Sequence, residues 1–309
     1  MIEATTSSIP SCAILGLAKG KKSVEFSDLA RTDALSQLSR YISTTVNANI
    51  NTTVKSIDRN GILDESSTVQ NEVFVNSTVS LFGVEFTEPF YFSKEKTWYC
   101  VAYINRDVAY EQYVPQIEVA KDVFYGFYNE AKNQEEKLLS ISFYKEAWEK
   151  GKEFLTTLEY ARLICPDREK IDYEQSRSDL AKIPSEISNA LKSILVQLNI
   201  SGDYGRILET ACENSLKDAG FTVAKNGNYI AEVYIENNES GENPLAIYPS
   251  VDFKLIGVTG QTLYSYQERI SSRTVAYSLE TAQKKAYPYL AENIKKKVTE
   301  ELKKMTETK

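Results

Sequence analysis

Histidine is absent from the 309 residues. That removes Ser-His-Asp and Cys-His nucleophile arrangements, zinc sites that need imidazole, and the usual general base near neutral pH. Cysteine is scarce: Cys12, Cys100, Cys165 and Cys212 are never at C-x-x-C spacing, which excludes a zinc knuckle and a dithiol redox motif. Thirteen glycines and eight prolines leave little material for long flexible linkers. No apolar run reaches the ~18 residues of a membrane-spanning helix. A basic surplus is also missing. With 36 Lys and Arg against 43 Asp and Glu, the net charge of −7 opposes nucleic-acid binding, which needs a cationic surface. The stretch after Met1, Ile2 to Ser8, has no signal-peptide core. The expectation is therefore either a cytosolic chain or a mature chain whose leader was replaced by a start methionine.

What is present suits packed cores. The chain is 42% hydrophobic, carries 20 tyrosines, and is long enough for two domains. One stretch invites a nucleotide reading: Gly16-Leu17-Ala18-Lys19-Gly20-Lys21-Lys22-Ser23. A phosphate loop needs four residues between its glycines, Lys-Ser directly after the second, and a helix opening at once. Here three residues separate the glycines, a second lysine precedes the serine, and Val24 to Phe26 read as extended. The stretch reads as a strand, residues 13–19, running into a basic turn.

Beyond it, Ser27-Asp28 can cap a helix carrying Ala30, Ala34, Leu38, Tyr41 and Ile42 on one face. Val46, Ala48, Ile50, Thr52 and Val54 then alternate with polar residues, which predicts a strand, and Asp58 to Gly61 a turn. Residues 65–80 fit helix or strand. Residues 83–92 and 97–104 read as a hairpin. From Arg106 apolar residues step by three and four: Ile117, Ala120, Phe124, Phe127 and Ala131, then Tyr144, Ala147, Gly151, Phe154, Leu158 and Ala161. Two such seams predict an antiparallel helical hairpin turning near 133–136, with a single rod as the other possibility. Cys165-Pro166-Asp167 stops this unit, and Pro184 opens another helix or an extended lead-in. The remainder predicts a strand at 194–200, a turn at 202–205, a helix from Ile207 ended by Gly220, strands at 229–235, 249–256 and 263–270, and a C-terminal helix from Leu279 notched by Pro288. Residues 237–243 read as a polar loop. The fold class is α+β: two small α+β modules, 1–113 and 191–309, joined by a helical hairpin spacer, 114–190, that holds them apart.

The first module resembles the LPP-twenty-type bacterial envelope lipoproteins, also seen in the N-terminal part of the flagellar T-ring protein. The resemblance covers residues 8–113. It rests on Pro10-Ser11-Cys12, Gly16-Leu17-Ala18, Leu29-Ala30-Arg31-Thr32-Asp33-Ala34-Leu35, Gly83-Val84, Trp98 to Tyr103, and Arg106-Asp107-Val108-Ala109. Cys12 stands where the family has tryptophan, and residues 45–60 are unusually rich in asparagine. Residues 194–300 are more weakly similar to modules of curli-secretion proteins and penicillin-binding-protein activators, through Gly202-Asp203-Tyr204-Gly205-Arg206-Ile207 and Gly220-Phe221-Thr222-Val223. The resemblance implies a lipid-anchored protein of the periplasmic face, with no catalytic residues, no metal ligands and no cofactor. It implies envelope proteins or peptidoglycan as partners, no nucleic acid, and membrane contact only through an anchor. Sequons at Asn51, Asn76 and Asn238 carry no meaning in a bacterium.

The sharper site readings each meet a plainer one. Tyr110, Tyr113, Tyr125, Tyr128 and Tyr144 would suit a sugar-stacking groove or the rim of a core. Glu85 and Glu88, three apart on a strand, face opposite sides and make a poor glycosidase pair. Asp203 reads as a helix cap, and the lysines at 295–297 and 303–304 as a solvated face or an anionic-lipid contact. Cys12 and Cys100 lie on strands of one module and are candidate neighbours. The leading expectation is a non-enzymatic envelope lipoprotein that scaffolds or regulates partners. The alternatives are a periplasmic ligand-binding protein and a carboxylate-only hydrolase.

Overall fold

The computed structural model describes residues 13–60, 81–241 and 244–306. The ambiguous stretch 65–80, Cys12 and the Asn76 sequon lie outside them. The described residues fall into two compact units, one drawn from residues 1–126 and 147–185, the other from 127–146 and 186–309.

The first unit begins β1 (Ala13–Lys19), α1 (Val24–Asn60), β2 (Val84–Phe86), β3 (Phe90–Phe92) and β4 (Thr97–Ile104). β4 is central, with β1 antiparallel on one side and β2 and β3 in succession on the other. The expected strand at 83–92 is split near Pro89, which has no N–H for the ladder. Across the break Thr87 substitutes: its N–H donates to Val101 O at 3.0 Å, and its Oγ1 accepts the Val101 N–H at 3.1 Å. On the far side of β4, α1 presses onto β1. A Cβ added at Gly16 would lie 2.3 Å from Ala30 O and 2.4 Å from Ala34 N, so the sheet meets the helix backbone to backbone. The carboxylate of Asp33, one residue from Ala34, accepts the Leu17 N–H at 2.9 Å and is steadied by Gln37 Nε2 at 2.8 Å.

α1 corrects the strand expected at 46–54 and the turn at 58–60: the helix runs through both. Ala30, Ala34, Leu38, Ile42, Val46 and Ile50 are all buried and step by four, while Ala48, which a strand would bury beside Val46, is exposed. The β-branched hydroxyls are absorbed by the helix, Thr45 donating to Tyr41 O at 2.9 Å and Thr52 to Ala48 O at 2.8 Å.

Three helices follow: α2 (Arg106–Asn133), α3 (Lys137–Ile164) and α4 (Pro166–Lys192). The turn between the first two falls at the expected place. Their first-unit stretches run antiparallel, with Tyr113 stacked on Tyr160 at 6.0 Å and Phe124 on Phe154 at 5.7 Å. The third helix was not foreseen at that length. Pro166 sits at its first position, where a missing N–H costs nothing, and Pro184 lies inside it. α4 runs parallel to α2: Tyr110 Oη donates to Asp172 at 2.7 Å, Tyr173 Oη to Glu118 at 2.9 Å, and Tyr125 Oη to Asp179 at 3.1 Å.

The second unit adds β5 (Leu195–Ser201), α5 (Ile207–Asp218), β6 (Thr222–Val223), β7 (Tyr229–Ser240), β8 (Leu245–Ile256), β9 (Thr262–Arg269), β10 (Thr274–Ala276) and α6 (Leu279–Thr306). The strand order is β6, β5, β7, β8, with β9 and β10 both on β8; β5 is parallel to β6 and β7, and the other pairs are antiparallel. The polar loop expected at 237–243 is corrected, since Asn237 to Ser240 pair with Pro249 to Ala246. Their polar side chains hide the strand from hydropathy, while the backbone ladder continues. Before α5, Gly202 takes φ +83°, and a Cβ there would lie 2.3 Å from Ile235 O. Asp203 then accepts the Leu208 and Glu209 N–H groups at 3.3 and 2.9 Å, the capping role its position suggested. The carboxylate of Glu136 binds the Tyr229 hydroxyl and accepts the Val258 N–H at 3.0 Å.

Two glycines of the first unit should respond oppositely to alanine. Gly16→Ala should cost about 2 kcal/mol or more, because the added methyl meets backbone. Gly126, in helix α2 with nothing within 4 Å of its missing Cβ, should gain up to ~1 kcal/mol on the same change. Urea unfolding midpoints of the two variants measure both.

Candidate functional site

Two features of the first unit are candidates, and both follow from where α1 lies. Strand side chains alternate between faces. Gly16 and its partner Cys100 face α1, so their neighbours face away from it. The register sets Leu15 beside Val101, Leu17 beside Tyr99, and Phe90 on the other flank of Tyr99. Leu15, Leu17 and Phe90 are 47%, 48% and 60% exposed. Among the described residues this is an uncovered apolar sheet face. Its rim is polar and internally satisfied: Tyr99 Oη donates to Glu95 at 2.6 Å, and Glu85 receives Tyr103 Oη at 2.7 Å and Asn105 Nδ2 at 3.1 Å. The Tyr103 hydrogen bond, with Asn105 behind it, holds the Glu85 carboxyl below the usual carboxylate range.

The second feature is a cavity of about 460 Å³ among α1, α3 and α4. α3 contributes Leu155, Leu158 and Arg162, spaced to share a face; α4 contributes Arg177, Ser178, Leu180 and Ala181; α1 contributes Thr52, Thr53, Ser56 and Ile57. An ionic cluster stands behind its wall. Glu159 has no exposed side-chain surface and accepts Arg177 Nη1 at 2.8 Å. Glu169, equally deep, accepts Arg177 Nε at 2.5 Å. Arg162 Nη1 reaches the same Glu159 oxygen only at 3.5 Å. Burial pushes the Glu169 carboxyl above its ordinary pKa, while Arg177 pulls it back. Two polar atoms of the cluster, Glu159 Oε2 and Arg177 Nη2, are buried without a hydrogen-bond partner. A second groove of about 440 Å³ along Pro115, Val119 and Val123 has Gln116, Lys150 and Glu153 as its polar lining, the last two already paired with each other at 3.1 Å.

The residues singled out from sequence fall mostly into structural roles. Tyr110, Tyr113, Tyr128 and Tyr144 are buried, in keeping with the core reading rather than the sugar groove. Glu85 and Glu88 serve separate partners, Glu88 lying 4.0 Å from Arg31. The glycine-lysine turn is tied down, with the Gly20 N–H on Lys96 O at 2.8 Å and Trp98 Nε1 on Lys21 O at 3.1 Å. Lys297 pairs with Glu268 at 2.7 Å and Lys304 with Glu301 at 2.5 Å. The suggested neighbour of Cys100 lies outside the described residues. Cys212 is buried, and that burial pushes its thiol up to about 12, so it is inert as a nucleophile at neutral pH. The Arg177 cluster was missed. Its members are far apart in sequence, and the one available signal was the eight-residue step from Glu169 to Arg177 along a single face of α4.

No protein-family model matches the chain, and no curated protein matches it. Among solved structures it is similar to a minor lipoprotein of Acinetobacter baumannii, at 14% identity over 35% of this chain and 94% of that one, with a TM-score of 0.26. It is also similar to a secreted protein of Helicobacter pylori, at 12% identity over 93% of this chain and 99% of that one, with a TM-score of 0.27. Scores this low carry no function across, and neither likeness establishes the LPP-twenty-type family.

Removing the central arginine tests the cluster. Arg177→Ala leaves the buried Glu169 without its ion pair and Glu159 with only the 3.5 Å contact to Arg162, and should cost about 3 kcal/mol or more near pH 7. Burial already holds the Glu169 carboxyl above its ordinary pKa against the pull of Arg177, and losing Arg177 raises it further, so the penalty is absent while that group is protonated and grows as pH rises. The deficit against the native chain should therefore shrink from about pH 7 to about pH 4, as urea titrations at the two pH values would read.

Proposed function

We propose that this is a non-enzymatic protein of a bacterial cell envelope that works by binding another protein, and that the open face of the β1–β4 sheet is the docking surface. The observation that carries this reading is the apolar row Leu15, Leu17, Val101, Tyr99 and Phe90, with three of its members about half exposed. A contiguous apolar face with a satisfied polar rim is the anatomy of a protein interface. It suits a protein partner with apolar side chains better than peptidoglycan, whose sugars would find few free donors or acceptors there. The envelope assignment rests on the sequence resemblance of residues 8–113. Two of its motifs meet, Gly16 lying against Ala30 and Ala34.

The non-enzymatic reading is supported by how the carboxylates are used. Glu136 and Asp203 are spent on backbone N–H groups and Glu159 and Glu169 on Arg177. With histidine absent from the chain, none of these has an imidazole beside it.

Photo-crosslinking residues placed at positions 15 and 17, and at position 55 as a control, test the docking surface in the native cell. Adducts should form with a protein at 15 and 17 and not at 55. That protein, once identified and purified, should bind the native chain and lose at least tenfold in affinity to Leu17→Glu. If 15 and 17 give no protein adduct while the purified chain sediments with isolated peptidoglycan, the docking reading fails.

A further inference from the structure

We propose that the chain forms a symmetric dimer by pairing the open edge of β9 with the same strand of a second copy. This goes beyond the docking surface, which lies on the first unit and works through side chains rather than backbone.

Among the described strands β9 has a neighbour, β8, on one side only. The register tells which of its backbone groups face outward. Ile270 N–H donates to Pro249 O at 3.0 Å, so 249 and 270 stand as a hydrogen-bonded pair, and in an antiparallel ladder such pairs alternate. Tyr264, Tyr266 and Glu268 therefore bond to β8, while the N–H and C=O of Ser265, Gln267 and Arg269 point away from it. These three residues are exposed, and their outward groups have no partner among the described residues. Edges of this kind are normally guarded. The border of β1 has Asp33 on its Leu17 N–H, and β6 and β10 offer only two and three residues. β9 offers eight, with no proline and no lysine. Its inward charge, Glu268, is neutralised: Lys297 pairs with it at 2.7 Å, and Tyr266 Oη donates to it at 2.6 Å. The same bonds hold the strand from the α6 side, so it needs little ordering before it pairs.

The edge is complementary to itself. With Gln267 on the twofold axis it faces its own copy, and Ser265 faces Arg269 of the second copy. That register uses all three outward positions and stays clear of the register shift between Leu255 and Ile256. No like charges stand directly opposite, which would oppose pairing. Arg269 meets a serine, and Glu268 meets Tyr266, a pair of side chains already bonded to each other within β9. The helices leave room. α6 packs on β8, and three strand spacings, about 14 Å, separate β8 from its copy, whereas packed helices need roughly 8–10 Å. Tyr289 lies on the α6 stripe of Asn293 and Lys297, both of which reach Glu268, and it is 56% exposed. The pairing brings the two copies of this stripe towards each other over the joined strands. A twofold contact also closes on itself, so it uses up the open edge and adds no further copies.

Sedimentation velocity of the purified full chain across a concentration series tests this. The native chain should pass reversibly from monomer to dimer. Gln267→Pro removes an outward N–H at the axis and leaves the β8 ladder whole, and it should weaken the dimer about tenfold or more. Ser265→Lys sets a like charge opposite Arg269, and Ser265→Glu sets an opposite one. The first should weaken the dimer and the second tighten it, each by about fivefold, because each change acts twice across the axis. Should Gln267→Pro fold poorly, the two Ser265 variants still decide. A native chain that stays monomeric overturns the proposal. So does a dimer indifferent to a folded Gln267→Pro chain, or one that the two Ser265 variants do not shift in opposite directions. A dimer held through the Leu15 and Leu17 face would show that indifference. None of these outcomes bears on the crosslinks at positions 15 and 17, so this inference and the docking reading fail separately.

Discussion

The first unit is organised by one close approach. At Gly16 the sheet and α1 meet with no side chain between them, against Ala30 O and Ala34 N. A helix seated that near must be small along its contact line, which accounts for Ala30 and Ala34 lying four apart and fully buried. The same contact decides which strand face is inside. Alternation does the rest: Cys100 and Ala102 go under the helix, and Leu15, Leu17, Tyr99 and Val101 go to the other side. The apolar outer face is thus a consequence of the glycine's position, because moving it by one residue would exchange the two faces.

At the α3–α4 contact, the corresponding determinant is electrostatic. Arg177 stands between two deeply buried glutamates and satisfies one oxygen of each. Clusters of this kind are costly to desolvate, and well-packed apolar replacements of similar volume are often no less stable. Its benefit here is geometrical. The guanidinium fixes where α4 lies against α3, and Gly151, whose missing Cβ would meet Leu180 Cδ1 at 2.7 Å, lets the two helices close next to it.

Much of this architecture can be read from residue order, and the exceptions have physical causes. β1, β4 and α6 announce themselves by period or by bounding turns. The second half of α1 does not, because a four-residue step is also two steps of two. Val46, Ile50 and Val54 satisfy both periods, and only the exposure of Ala48 separates them. α4 was hidden by polarity: its inward face mixes Tyr173, Leu180 and Ile183 with Glu169, Ser176 and Arg177, so its apolar stripe is thin. The arginine cavity is assembled from three helices, and no local spacing encodes that meeting. Asp203 was legible because a cap is a local device.

The bond from the Leu17 N–H to Asp33 acts on more than the packing of β1. β1 lies at the border of its sheet among the described strands, and a bordering strand offers its outward backbone groups to any chain that comes alongside. Here one of those donors is occupied, and a carboxylate held by Gln37 stands at the same spot. A strand trying to add itself would have to displace the bond and desolvate the charge. An oily sheet face beside a blocked border admits side-chain contact from above while discouraging the endless lateral stacking by which β-proteins polymerise.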